Sequence, residues 1–289
     1  MKFGAVLFTS DRGIRPARAA QAAEAHGFHT FYVPEHTHIP VSRDTAHPTT
    51  GDATLPDGRY MRTLDPWVAL ASAATVTSRI RLGTAVALPF EHDPITLAKT
   101  IATLDFLSEG RVVLGAGFGW NLEEMADHGV PPGRRRTMLR EYLEAMGGLW
   151  SQETASYEGE FVRFGPSWAW PKTVQQPRVP ILLGARGTEK SFAWIVRSAD
   201  GWITTPTEES IVASVQLLGG MWSDAGRQGE PEVVVLHPKP DEALLEAWQK
   251  AGVTEVMMGF PDRAEADVLA WVERRAPLIE RFGEEPGSS

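Results

Sequence analysis

Short apolar runs of strand type alternate along the chain with longer stretches whose apolar positions recur at helical spacing. The runs at 3–8, 30–34, 80–86, 112–116, 179–184, 202–205, 232–236 and 255–259 read as strands. The stretches at 16–26, 66–77, 94–107, 134–150, 188–198, 208–226, 241–251 and 263–282 read as helices, with Leu97, Ile101, Leu104 and Leu107 showing the i, i+4, i+7 pattern clearly. Parallel strands need crossover helices, and eight strand–helix units close into a (β/α)8 TIM barrel. The chain is therefore predicted to be an α/β protein with one domain spanning 1–289. A doubly wound sheet competes less well, because the first strand–helix junction, TSDRGIRP, lacks the glycine fingerprint of a dinucleotide site. No domain break, no repeat and no low-complexity segment is visible apart from the tail GEEPGSS.

Two connections exceed ordinary turn length. One, 36–63, is an insertion after strand 2, rich in His, Thr, Pro and Asp. It belongs on the C-terminal face, where barrel active sites sit. The other, 151–178, is an insertion before strand 5 and should start on the opposite face. Its Trp168 and Trp170 are expected to pack over the barrel, or else to wall a ligand.

Composition narrows the chemistry. With 43% hydrophobic residues in 289, the chain can bury one large core. Cysteine is absent, which excludes disulfides, thiolate nucleophiles and thiolate metal sites. The first apolar run is too short for a signal peptide, and no run approaches the ~18 residues of a membrane span. A cytoplasmic protein with no membrane partner is expected. The formal charge of −9 (28 − 37) argues against a nucleic-acid surface. One basic cluster, GRRRTMLR at 133–140, reads as a solvated helix face or a subunit contact. Ten tryptophans suggest large apolar walls, in the core or around a planar ligand.

Three stretches carry candidate chemistry. YVPEHTHIP, 32–40, places Glu35, His36 and His38 at a strand end; His-x-His there could begin a metal site, but only His237 follows as a plausible ligand at a later strand end. ILLGARGTEKSF, 181–192, runs a strand through small residues into a helix. Its backbone N–H groups, with Arg186 and Thr188, suit a phosphate. VVLGAGFGWNLEEM, 112–125, has glycines at the wrong spacing for a dinucleotide fingerprint, and Asn121 reads by default as a helix cap.

Taken together, these segments resemble the luciferase-like monooxygenase superfamily of flavin- and deazaflavin-dependent barrels. The resemblance rests on RIRLGTAVALPFEHDPITLAKTIATLDFLSEGRVVLGAGFGWNLEEM at 79–125, on ADGWITTP at 199–206 and on GARG at 184–187. It covers roughly 1–260 and is strongest toward the branch using the deazaflavin coenzyme F420. The family implies the same eight-unit barrel. It implies Glu35 and His36 beside the reactive ring, with His36 as acid/base and Glu35 bonding the ring or orienting that histidine. It further implies a non-proline cis peptide at Ala85-Val86 behind the ring, and Asn121 bonded to the cofactor. Gly184, Ala185, Arg186, Gly187 and Thr205 fall at the phosphate. By the same analogy the chain would be a homodimer.

Departures matter as well. Phe118 stands where a sugar-phosphate dehydrogenase branch carries a catalytic glutamate, and Glu208 stands where that branch places a phosphate-binding lysine. Sugar-phosphate oxidation is therefore disfavoured, and a less polar substrate is expected. The resulting expectation is an F420-dependent oxidoreductase moving a hydride to or from a small organic substrate. The alternatives are an FMN-dependent monooxygenase fed by a reductase partner, a non-catalytic flavin-binding protein and a metal-dependent barrel hydrolase.

Overall fold

The computed structural model describes residues 1–205, 210–237, 239–261 and 263–283. Four strands come first: β1 (Lys2–Val6), β2 (Thr30–Val33), β3 (Arg81–Thr84) and β4 (Val112–Gly117). A hairpin of β5 (Ala155–Glu158) and β6 (Arg163–Ser167) follows, then β7 (Ile181–Gly184), β8 (Gly201–Thr204), β9 (Glu232–Leu236) and β10 (Glu255–Gly259). All but the hairpin pair in parallel and close in the order β1-β10-β9-β8-β7-β4-β3-β2. The expected TIM barrel is what the chain forms, with every expected strand in place.

The helices are α1 (Pro16–Ala25), α2 (Pro66–Ala74), α3 (Pro94–Leu107), α4 (Leu122–Asp127), α5 (Arg135–Ser151), α6 (Glu189–Ser198), α7 (Ile211–Asp224), α8 (Glu242–Ala251), α9 (Glu265–Glu273) and α10 (Ala276–Phe282). Two Asp-Pro pairs start helices in the same way. Asp65 and Asp93 accept from Val68 N and Thr96 N, each at 2.8 Å, while Pro66 and Pro94 fill the first helical position, where no N–H is needed. The stretch read as one helix at 263–282 is two. Pro277 cannot donate to the carbonyl four residues back, so α9 stops at Glu273 and α10 begins anew.

Inside the barrel, Tyr32, Val113, Leu182, Ile203, Val234 and Met257 form one packed layer, and Ala85, Val86 and Leu236 pack on it toward the C-terminal mouth. The insertion at 36–63 lies over that mouth, as expected. The insertion before strand 5 folds partly into the hairpin, pinned to α5 by Glu141, whose Oε2 accepts from Phe161 N at 2.7 Å. Its Trp168 and Trp170 do not pack over the barrel; they are 78% and 60% exposed. Trp170 precedes a cis proline and Lys172 lies 5.2 Å over its ring. No helix among the described residues is long and apolar enough to cross a membrane.

Candidate active site

A cavity of about 940 Å³ opens at the C-terminal mouth, within the size range of small-molecule sites. Its apolar side is Ala85, Val86, Ile203, Leu236 and Met257, and the Ala85–Val86 peptide is cis. Two glycines make room for Val86. A Cβ on Gly117 would lie 2.2 Å from Val86 Cγ2, and one on Gly184 would lie 2.7 Å from Cγ1. The glycines that end β4 and β7 thus serve close packing around this dipeptide.

The cavity also has a polar part. It comprises residues 185–188, Ser191 at the start of α6 and Thr205 after β8. Thr188 caps α6, accepting from Ser191 N at 3.3 Å, which turns the electropositive helix end toward the cavity. Trp202 holds the loop in place by donating from Nε1 to Ala185 O at 2.8 Å. Ala85, Val86, Gly184, Ala185, Arg186, Gly187 and Thr205, expected at the cofactor, therefore line one cavity. Glu208 lies outside the described residues.

His36 does not itself line this space but contacts Trp120, which does, and its side chain is only 8% exposed. Its Nδ1 is 2.8 Å from Glu124 Oε2, and Trp120 donates from Nε1 to its Nε2 at 3.3 Å. An indole nitrogen can only donate, so Nε2 must be the lone-pair nitrogen and the ring proton sits on Nδ1, facing the carboxylate. His36 thus presents its acceptor nitrogen to Trp120, which itself lines the cavity. Tyr60 and His47, from the inserted loop, close the cluster, with ring centroids 5.6 Å from His36 and 4.6 Å from Trp120 respectively. Burial, joined by the nearby charge of Arg43, pulls His47 below the ordinary histidine pKa, favouring the neutral ring.

Glu35 is engaged elsewhere. Its Oε2 accepts from Leu88 N at 2.6 Å and its Oε1 lies 2.7 Å from His92 Nε2, with its side chain 1% exposed. The carboxylate orienting His36 is Glu124, not Glu35, because both oxygens of Glu35 are turned toward the segment after β3. Burial alone would lower the His92 pKa; the hydrogen bond and charge of Glu35 outweigh it and raise the pKa above the ordinary value.

Asn121 does not cap α4, contrary to the default reading. Its side chain makes no capping bond, and neither amide atom has a partner although the residue is 1% exposed. A buried amide left unpaired costs desolvation, so this residue is set for a partner outside the chain. The apolar side beside Ala85–Val86, the anion-binding end at α6 and the unpartnered Asn121 fit a flat ring cofactor with a phosphate-bearing side chain.

The remaining candidates separate. His38 Nε2 bonds Asp127 Oδ2 at 2.9 Å, and His237 accepts from Lys239 N. Among the described residues no three His, Cys, Asp or Glu side chains gather as a metal-binding group. Three residues were missed by the sequence reading. Glu124 pairs with His36 across 88 positions. His92 pairs with Glu35. Glu91 is 6% exposed with both oxygens unpartnered. Burial, followed by the charges of Glu124 and Glu35, pushes the Glu91 carboxyl up to about 9, so it is neutral at physiological pH.

Residues 6–285 match the luciferase-like monooxygenase family. The chain belongs to that family. An uncharacterized protein of Mycobacterium tuberculosis is 68% identical to this luciferase-like chain over 279 residues, covering 96% of this chain and 99% of its own. An F420-dependent glucose-6-phosphate dehydrogenase of Segniliparus rotundus is 30% identical over 215 residues, 72% of this chain and 58% of that protein. Two solved structures share the fold. The monooxygenase RslO1 from Streptomyces bottropensis has a TM-score of 0.77 at 22% identity, over 98% of this chain and 100% of that one. The coenzyme F420 dependent tetrahydromethanopterin reductase from Methanopyrus kandleri has a TM-score of 0.73 at 19% identity, over 97% and 99%.

Proposed function

We propose that this luciferase-like chain is an F420-dependent oxidoreductase acting on a small, weakly polar organic substrate. The observation that carries the reading is His36, held between Glu124 and Trp120, with Trp120 lining a cavity that has an apolar part and a part suited to an anion. Relatives named as F420-dependent dehydrogenases support the choice of cofactor.

When bound, F420 supplies a hydride donor or acceptor at the ring carbon C5. The Ala85–Val86 side would back the ring, Asn121 would offer a donor and an acceptor to its polar edge, and the 184–188 loop with α6 would hold the phosphate. Phe118 and Trp120 wall the cavity and keep water from the reacting atoms. His36 Nε2 takes a proton from the substrate hydroxyl, or returns it in the reverse direction, after that hydroxyl displaces the Trp120 N–H. Glu124 stabilises the imidazolium so formed through Nδ1. Glu35 acts through position, holding Leu88 and His92 beside the ring's back wall.

The test is a titration of the purified chain with F420 and with FMN, followed by ring fluorescence. Micromolar F420 binding with weaker FMN binding is expected. Tight FMN binding with oxygen uptake on reduced FMN would replace this reading with a two-component monooxygenase.

A further inference from the structure

The cavity reverses the charge of the chain around it. The chain carries a formal −9, yet the described residues lining the cavity include Arg135, Arg136 and Arg186 and no aspartate or glutamate. Within the same basic run, Arg134 pairs with Glu160 and Arg140 reaches Glu144 at 3.9 Å. Arg135 and Arg136, between them, have no carboxylate within ion-pair distance among the described residues. Arg136 instead lies 4.6 Å over the ring of Phe118, which is itself packed 5.3 Å from Trp194. An aromatic face holds a guanidinium in position without occupying its N–H donors.

Their place on the fold is unfavourable without a ligand. Both open α5, where the helix dipole disfavours cations and where no acidic residue occupies the first turn. The phosphate-sized anion is already served by the 184–188 loop and α6, with Arg186 beside them. Two further guanidiniums lining the same cavity call for further anions. We propose that Arg135 and Arg136, together with Arg186, form a subsite for a chain of carboxylates attached beyond the cofactor phosphate. Arginine forks suit carboxylates through paired N–H···O bonds. The inference rests on the deazaflavin reading above, since F420 continues past its phosphodiester into linked glutamates whereas FMN ends at its phosphate.

The test uses the full chain and compares the wild type with R135A/R136A by fluorescence titration. The probes are F420 with several glutamates, the tail-less deazaflavin that lacks phosphate and glutamates, and FMN. The double variant should lose about tenfold or more in affinity for long-tailed F420 and bind the tail-less ring as the wild type does. R135K/R136K should recover part of the loss, because charge returns without the fork. Added salt should weaken long-tailed binding to the wild type more than to the double variant. Thermal melts matching the wild type would establish that the variants fold. Equal losses for both deazaflavins, or no loss for the long-tailed one, would overturn the subsite and leave the deazaflavin reading standing. A wild type that binds FMN and neither deazaflavin would overturn both.

Discussion

His36–Glu124 and His92–Glu35 are the same chemical pair, set close together at one barrel mouth, and they differ in what surrounds the ring. In the first, the second ring nitrogen meets Trp120, a group that only donates, so that nitrogen acts as an acceptor and the ring proton faces Glu124. In the second, burial opposes the charge but Glu35 overrides it, and the ring is drawn toward the cation. Glu35 in turn is fixed by the Leu88 backbone. The proposed base is thus the pair whose second nitrogen meets a cavity-lining side chain, and the brace is the pair tied to the Leu88 backbone. Glu91 lies in the field of both carboxylates, and burial with their charges keeps it protonated.

The largest expected effect falls on the base. His36→Ala should lower turnover by roughly 10²–10⁴-fold while cofactor fluorescence still reports binding, the range typical of lost general acid–base help. Turnover at the wild-type rate would end the distinction between the two pairs. Next comes the brace: Glu35→Gln should destabilise the fold by about 3 kcal/mol in denaturant melts, because a buried charge partner is removed. Glu124→Gln should act differently. Thr37 N donates to Oε1 at 2.9 Å, so the new amide nitrogen would face His36 Nδ1 and drive the proton to Nε2. Its signature should be a loss of turnover and an altered pH profile exceeding its loss of stability.

Glu91 predicts a pH effect on stability. Its ordinary value is 4.5 and its folded value about 9, so the unfolded chain releases this proton first as pH rises. The stability tied to the neutral group is complete below 4.5 and declines as pH rises toward 9. The raised His92 pKa adds loss in the same direction, above the ordinary histidine value. Glu91→Gln should therefore gain on the order of 2 kcal/mol at pH 8 and flatten the alkaline decline in melting temperature. An unchanged decline would place the titrating group elsewhere. The smallest effect is expected from Trp120→Phe, which removes one hydrogen bond worth about 1 kcal/mol and should change turnover by only a few-fold.

Periodicity sufficed for the barrel because each strand buries a run and each helix buries a stripe. The motifs that carried the family resemblance turn out to be largely scaffold. Asp105 accepts from Val174 N and Gln175 Nε2, each at 2.7 Å, and ties the inserted segment to α3. Arg111 donates to the carbonyls of Ala74, Thr77, Ile80 and Ser108 at the far end of the barrel. Asp200 accepts from Ile181 N at 2.8 Å and from Arg178, joining the starts of β7 and β8. Such residues are legible because a fold constrains them locally and repeatedly. Glu124 and His92 were not, since pairing over 57 to 88 positions leaves no periodic trace. The basic run at the start of α5 was visible, but nothing in its spacing tells Arg134, which has a carboxylate, from Arg135 and Arg136, which line the cavity.

The loop over the mouth is fastened at both ends. Glu124 takes Thr37 N, and Glu123 takes Asp44 N and Thr45 N at 2.7 and 3.1 Å. Both of these latches hang from the first turn of one short helix. The far end is tied by Arg62 to Asp11 and by Tyr60 to the ring of Phe8, with 4.6 Å between centroids. Descendants of this chain can therefore lengthen, shorten or rewrite the stretch between these anchors without moving His36. The fastening makes part of the wall above the cavity an exchangeable cassette on a frame that stays put.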